Sequence, residues 1–296
     1  VFPETVNKIN YESVNFSVKD LHEVILSNEN LDEPHIGPWI IYREMKKNNI
    51  VVSLDGHGPD ELLGGYYDHF KFAIEDEIDL EKKEKLINLR KKIFPNINQY
   101  KKKENYKRKS NISKIFNLLF KKKNKIEQIN FKLKHLNTLF NKKLFYDFNF
   151  FSLPKILNNF DKLSMVHGVE VRSPYLDWRL VSFCFSLNQS DKITENSNKT
   201  ILRDYIKKIT NNKLKIRKDK IGFVTPPNFF KGNKIEEFLY DTSSSKEFKN
   251  SNFFDGNNVS KKFQSQKNNS MEIKSWSDIP FWKYFQTHIL FNSLKK

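Results

Sequence analysis

The stretch that most restricts the fold is residues 50–66, IVVSLDGHGPDELLGGY. Ile50 to Leu54 is short, β-branched and mostly apolar without alternation, which predicts a strand buried on both faces of a parallel sheet. Asp55-Gly56-His57-Gly58 then breaks the run, and Pro59 suits the first turn of a helix, where a missing N–H costs nothing. Asp60 and Glu61 fall at the positive end of that helix. Of the nine glycines in the chain, four lie between positions 56 and 65. Such a concentration beside two carboxylates needs a reason. Gly56 and Gly58 permit positive φ and a close approach to the backbone. A strand, a glycine loop and a helix start form the usual ligand crevice of an open α/β sheet. The plainer alternative is a strand-to-helix turn with ordinary capping acids.

The chain has 296 residues, 27 Phe and 11 Tyr, enough for a substantial core. No run of 18 apolar residues is present, so no membrane span is expected. The first residues, VFPETVNKINYESV, are polar and acid-containing and do not read as a signal peptide. The single Cys184, in LVSFCFSL, reads as a buried reduced thiol, which fits a reducing, cytoplasmic setting. The net charge of +17 invites a nucleic-acid reading, but residues 91–146 hold 17 Lys or Arg against two acids, leaving only +2 for the rest. That segment reads as a solvated face or mobile insert rather than a polyanion site, and residues 100–130 are expected to be mobile.

Along the chain, Ser17 caps a helix to Leu26, and a second helix runs from Pro38 to Lys47. A helix is expected from Pro59 to about Ala73 despite its glycines, and residues 76–92 read as charged and helical. Pro154 starts a helix with Ile156, Leu157, Phe160 and Leu163 as its stripe. Val169 to Ser173 is extended, because Pro174 disfavours helix before it. Asp177 caps a helix to Leu187, Lys199 to Ile209 forms another, and an aromatic helix over 278–294 closes the chain. Helices far outnumber strands.

Four blocks, in order, resemble the synthetase domain of the glutamine-dependent asparagine synthetases. LDGHGPDELLGGY is similar to that family's SGDGADELFGGY, and DKLSMVHGVEVRSPYLDWRLVSF (161–183) to DRxSMAHSVEVRxPFLDHRLVEF. KDKIGFVTP (218–226) is similar to RxKxGFxxP, and Lys199-Thr200-Ile201-Leu202-Arg203-Asp204 to TKYILRE. The blocks span about residues 30 to 230. The resemblance implies a mostly helical α/β fold with a Rossmann-like parallel sheet of the PP-loop type. It also implies ATP and Mg²⁺ as cofactors, with aspartate activated as β-aspartyl-AMP and then attacked by ammonia from glutamine. The family's pyrophosphate loop, SGGxDS, and its glutaminase domain precede this region. Residues 1–296 are therefore expected to be a partial synthetase domain, lacking its first strand and inactive alone.

Carried onto this sequence, the resemblance gives roles to individual residues. Asp55, Gly56 and Gly58 would meet the nucleotide at the strand end. Asp60 would hold magnesium, since a hard cation takes carboxylate oxygen. Lys220 would face the phosphate oxygens as charge develops, and Glu61 reads as structural. Asp161, Glu170 and Arg172 would form a charged network shaping the pocket, paired if buried. His57 stands where the family commonly has an acid or glutamine. A neutral imidazole can still take a proton from ammonia near pH 7 but supplies no negative charge. The acceptor is thus aspartate or another carboxylate, as in polysaccharide biosynthesis. A non-catalytic polyanion-binding relative is the reading from a different class.

Overall fold

Ser17 opens the first helix through a reciprocal cap. Its Oγ accepts from the Asp20 N–H at 3.2 Å, and the Asp20 carboxylate accepts from the Ser17 N–H at 2.7 Å. The computed structural model describes residues 14–29, 35–95, 136–217, 219–220, 234–266 and 282–294. The expectations for residues 100–130, and most of the basic segment 91–146, lie outside them.

In chain order the elements are α1 (Val18–Asn28), α2 (Ile36–Lys47), β1 (Val52–Leu54), α3 (Pro59–Leu63), α4 (Tyr67–Asp76), α5 (Leu80–Ile93), α6 (Leu139–Asn149) and α7 (Ser152–Met165). After them come β2 (Glu170–Arg172), a 3₁₀ turn (Pro174–Leu176), α8 (Trp178–Ser186), α9 (Gln189–Lys192) and α10 (Thr200–Ile209). The last four are α11 (Lys234–Ser244), α12 (Lys246–Lys249), α13 (Gly256–Gln266) and α14 (Trp282–Ser293). The chain is mostly helical with a small parallel sheet, and it divides into two compact units. No helix among the described residues is long and apolar enough to cross a membrane.

The first unit comprises residues 1–53, 158–171 and 222–296. Leu21, Val24 and Ile25 of α1 fall on one helical face and are buried with Trp39 and Ile40 of α2, Leu163 of α7 and Leu239 of α11. Phe248 of α12 stacks on Phe285 of α14, with centroids 5.1 Å apart, and Phe263 meets the same ring edge-on at 4.9 Å.

The second unit comprises residues 54–157 and 172–221. Tyr67, Phe70 and Ala73 of α4 pack with Leu86, Leu89 and Ile93 of α5 and Phe140 and Leu144 of α6. A neighbouring cluster joins Leu62 and Leu63 of α3 to Cys184 of α8.

Two expectations need correction. The strand is Val52–Leu54, shorter than 50–54, and it is not buried on both faces: Val51 is 53% and Leu54 73% exposed. Among the described residues β1 pairs with β2 alone, and two three-residue strands cannot cover their own faces. The helix from Pro59 does not run on to Ala73. Gly64 ends it in the left-handed conformation, φ 77°, and α4 starts afresh at Tyr67.

Candidate functional site

The Asp55 N–H donates to the Arg172 carbonyl at 2.8 Å, the last rung of the parallel pair. From there the chain turns through Gly56-His57-Gly58 into α3. Gly56 faces open space: a Cβ there would have no atom within 4 Å. Gly58 has φ 107° and lies so close to Leu176 Cδ2 that a side chain would collide. His57 is half-buried, with Nδ1 3.9 Å from Asp55 Oδ2. Burial lowers its pKa, against the pull of Asp55, so the imidazole is neutral at pH 7.

Asp60, in the first turn of α3, receives two ammonium groups. Lys199 Nζ lies 2.9 Å from Oδ1 and Lys220 Nζ 3.0 Å from Oδ2. Burial by itself would raise the Asp60 carboxyl, but the two lysines outweigh it and hold it below its ordinary value. Two ammoniums against one carboxylate leave an excess of one positive charge. Gly65 makes room for the arrangement, since a Cβ there would overlap Asp60 Oδ1 and come within 2.7 Å of Lys199 Cε. The four clustered glycines thus serve different ends: open approach at 56, a positive φ at 58, a helix stop at 64 and clearance for an ion pair at 65.

Each lysine is held by its backbone. The Lys220 N–H donates to the carbonyl of Ile93, the last residue of α5, at 3.0 Å. Lys220 Nζ also sits 5.3 Å from the centroid of the Tyr66 ring. Lys199 caps α10 with φ 52° and ψ 39°, a left-handed conformation uncommon for a lysine.

Beside this cluster lies a buried polar network. The Tyr66 hydroxyl donates to Glu61 Oε1 at 2.7 Å, and Glu61 is 1% exposed. Burial pushes the Glu61 carboxyl up to about 7, against the hydrogen bond from Tyr66. Burial and the adjoining Glu61 push the Tyr66 hydroxyl upward as well, so it remains a donor. His69 Nδ1 accepts from the Tyr66 N–H at 3.4 Å, and Nε2 faces Asp147 Oδ2 at 2.8 Å. These partners assign the neutral tautomer protonated at Nε2, in line with burial lowering the His69 pKa. Lys143 completes the chain at 2.7 Å from Asp147 Oδ1.

Of the residues singled out by sequence, Asp60 and Lys220 come together, with Asp55, Gly56, His57 and Gly58 in the loop leading to α3. Asp161, Glu170 and Arg172, expected to shape the pocket and to be paired if buried, are all three exposed. Glu170 and Arg172 flank the half-buried Val171, as the two-residue period of a strand requires. The expectation that Asp60 holds magnesium meets a carboxylate whose two oxygens already carry ammoniums. Among the described residues no group of three or more His, Cys, Asp or Glu could hold a metal. As arranged, the cluster suits an anion rather than a cation.

Lys199 lies in the 199–204 block, but the resemblance gives its lysine no role. Nor does the sequence single out Lys192, fully buried with Nζ 2.9 Å from Asn141 Oδ1 and pushed down to about 8 by burial. In a lysine-rich chain, local pattern marks neither one. Cys184 is buried as expected, and burial raises its thiol pKa.

Comparison with known protein families matches residues 14–284 to the family described as asparagine synthase. Comparison with curated proteins returned no match.

Proposed function

The chain belongs to the asparagine synthase family, whose chemistry is ATP-dependent amidation, and from that premise we propose that it activates the side-chain carboxylate of aspartate. A carboxylate oxygen attacks the α-phosphorus of ATP. The bond from that phosphorus to the bridging oxygen breaks, and pyrophosphate leaves with the electron pair. Ammonia drawn from glutamine then attacks the acyl carbon, gives up a proton, and expels AMP to leave the amide.

The observation that carries this reading is the convergence of Lys199 and Lys220 on Asp60. Two fixed ammoniums offer a site for the charge that gathers on a departing pyrophosphate. Asp60 holds them at a set spacing until a more highly charged anion takes its place. Gly56 is the open point of the strand-end loop against which the nucleotide would lie, with Asp55 and Gly58 shaping the turn on either side of it, and His57 takes the proton released by ammonia.

A second reading has one observation in its favour. His57 brings no negative charge to this loop position in either protonation state, and the acceptor is then a carboxylate other than aspartate. ATP–pyrophosphate exchange by the full-length protein, run against a panel of carboxylic acids, separates the two. Exchange that depends on aspartate, with glutamine amide ¹⁵N appearing in the product, is the expected result. Exchange with another acid alone selects the second reading, and none with any acid sinks both.

A further inference from the structure

Arg203, on the first turn of α10, grips two separate stretches of chain. Its Nε donates to the Asn198 carbonyl at 2.7 Å, and Nη2 reaches Asn198 Oδ1 at 3.2 Å. Its Nη1 donates to the Arg217 carbonyl. Asn198 is 3% exposed and immediately precedes Lys199, and Arg217 lies three residues before Lys220. One planar guanidinium therefore fixes the backbone just ahead of each ammonium that meets Asp60.

Two features make this more than a local tie. Lys199 is held at φ 52°, which a non-glycine residue keeps only where its surroundings enforce it. The Asn198 carbonyl and side chain, both bound by Arg203, are part of that enforcement. The segment reaching Lys220 is otherwise exposed at Lys213, Leu214, Lys215 and Arg217, so the Nη1 bond tethers it before the Lys220 N–H docks on Ile93. Lysine cannot replace the fork, because an ammonium is a single point with no plane to span three acceptors.

We propose that Arg203 is the positioning residue that sets the spacing of Lys199 and Lys220, and so determines how well the pair receives a pyrophosphate-like anion. The inference rests on the reading that these two lysines receive polyphosphate. It does not depend on which carboxylate is amidated.

The experiment is calorimetric titration of the full-length protein with inorganic pyrophosphate. Wild type is compared with Arg203→Lys, and the same substitution is then made in a Lys199→Met/Lys220→Met background. Arg203→Lys is expected to weaken binding about tenfold, since small misplacements of charged groups are costly. In the double-lysine background it is expected to change binding less than twofold, because nothing remains to position. A merely structural arginine would act equally in both backgrounds, and that result overturns the proposal. So does unchanged affinity in Arg203→Lys, or absence of pyrophosphate binding by wild type. Should Arg203→Lys lose its cooperative melt, Asn198→Ala replaces it under the same criterion, removing only the Nη2 contact. Binding that behaves as expected in a protein without carboxylate-dependent exchange would spare this inference while sinking the ligase reading.

Discussion

In the unit built around α1 and α14, the buried polar side chains among the described residues are Asn28, Asn159, Ser164, Ser243, Ser260 and Gln286, all uncharged. In the unit that carries Asp60 they include Glu61, His69, Asp147 and Lys192. A buried ionisable group costs stability unless it is paired or neutralised. One unit avoids that cost and packs aromatic rings instead. The other accepts it and holds buried titratable groups beside the candidate site. Neutral packing and buried ionisable groups thus lie in different parts of the chain, and substitutions in the two should be read by different measurements.

The largest effect is expected in the neutral core. Phe248 is fully buried against Phe285, and Phe248→Ala should destabilise the protein by about 3–5 kcal/mol. Urea melts should show that loss, and one below about 1 kcal/mol would break the contrast. Next comes Lys220→Met, expected to lower exchange by about 10²–10³ while the melting temperature shifts little. Equal damage to rate and melting would mean that Lys220 is a structural residue.

Smaller effects should appear as opposite pH slopes within the charged unit. Lys192 has a folded pKa of about 8 against an ordinary 10.5. The unfolded chain binds more protons between those values, so wild type gains stability as pH rises from 8 towards 10.5. Lys192→Met should flatten that rise, by roughly 3 kcal/mol at most. Glu61 runs the other way, with a folded value of about 7 against 4.5. Its contribution is full below 4.5 and is lost as pH rises through 7, so Glu61→Gln should gain on wild type over that range. Melting temperatures measured from pH 4 to 10 would test both signs at once. The smallest effect is that of Gly65→Ala, whose methyl must push Asp60 and Lys199 aside. A loss of about tenfold in exchange with little change in melting is expected, and unaltered exchange would mean that the Asp60–Lys199 pair is dispensable.

What could be read in advance follows the range of the forces involved. The cap of α1 is local, and Ser17 with Asp20 announces it. The break at Gly64-Gly65 is also local, yet the sequence reads as one continuous helix, because helical spacing carries no mark of a backbone turning left-handed. The strand's residue types spoke for burial, but burial depends on what covers a strand, which its own residues do not encode. Lys220 was found through its motif alone, for its partner is 160 residues away. Lys199 and Lys192 differ from dozens of other lysines only in what surrounds them after folding.

Tyr66 touches opposite charges on two sides. Its ring lies beneath Lys220 Nζ, and its hydroxyl is bound to Glu61. One residue thus touches both a lysine of the candidate cluster and the acid of the buried network. Tyr66→Phe would keep the ring beside Lys220 and remove the bond to Glu61, whereas Tyr66→Leu would remove both.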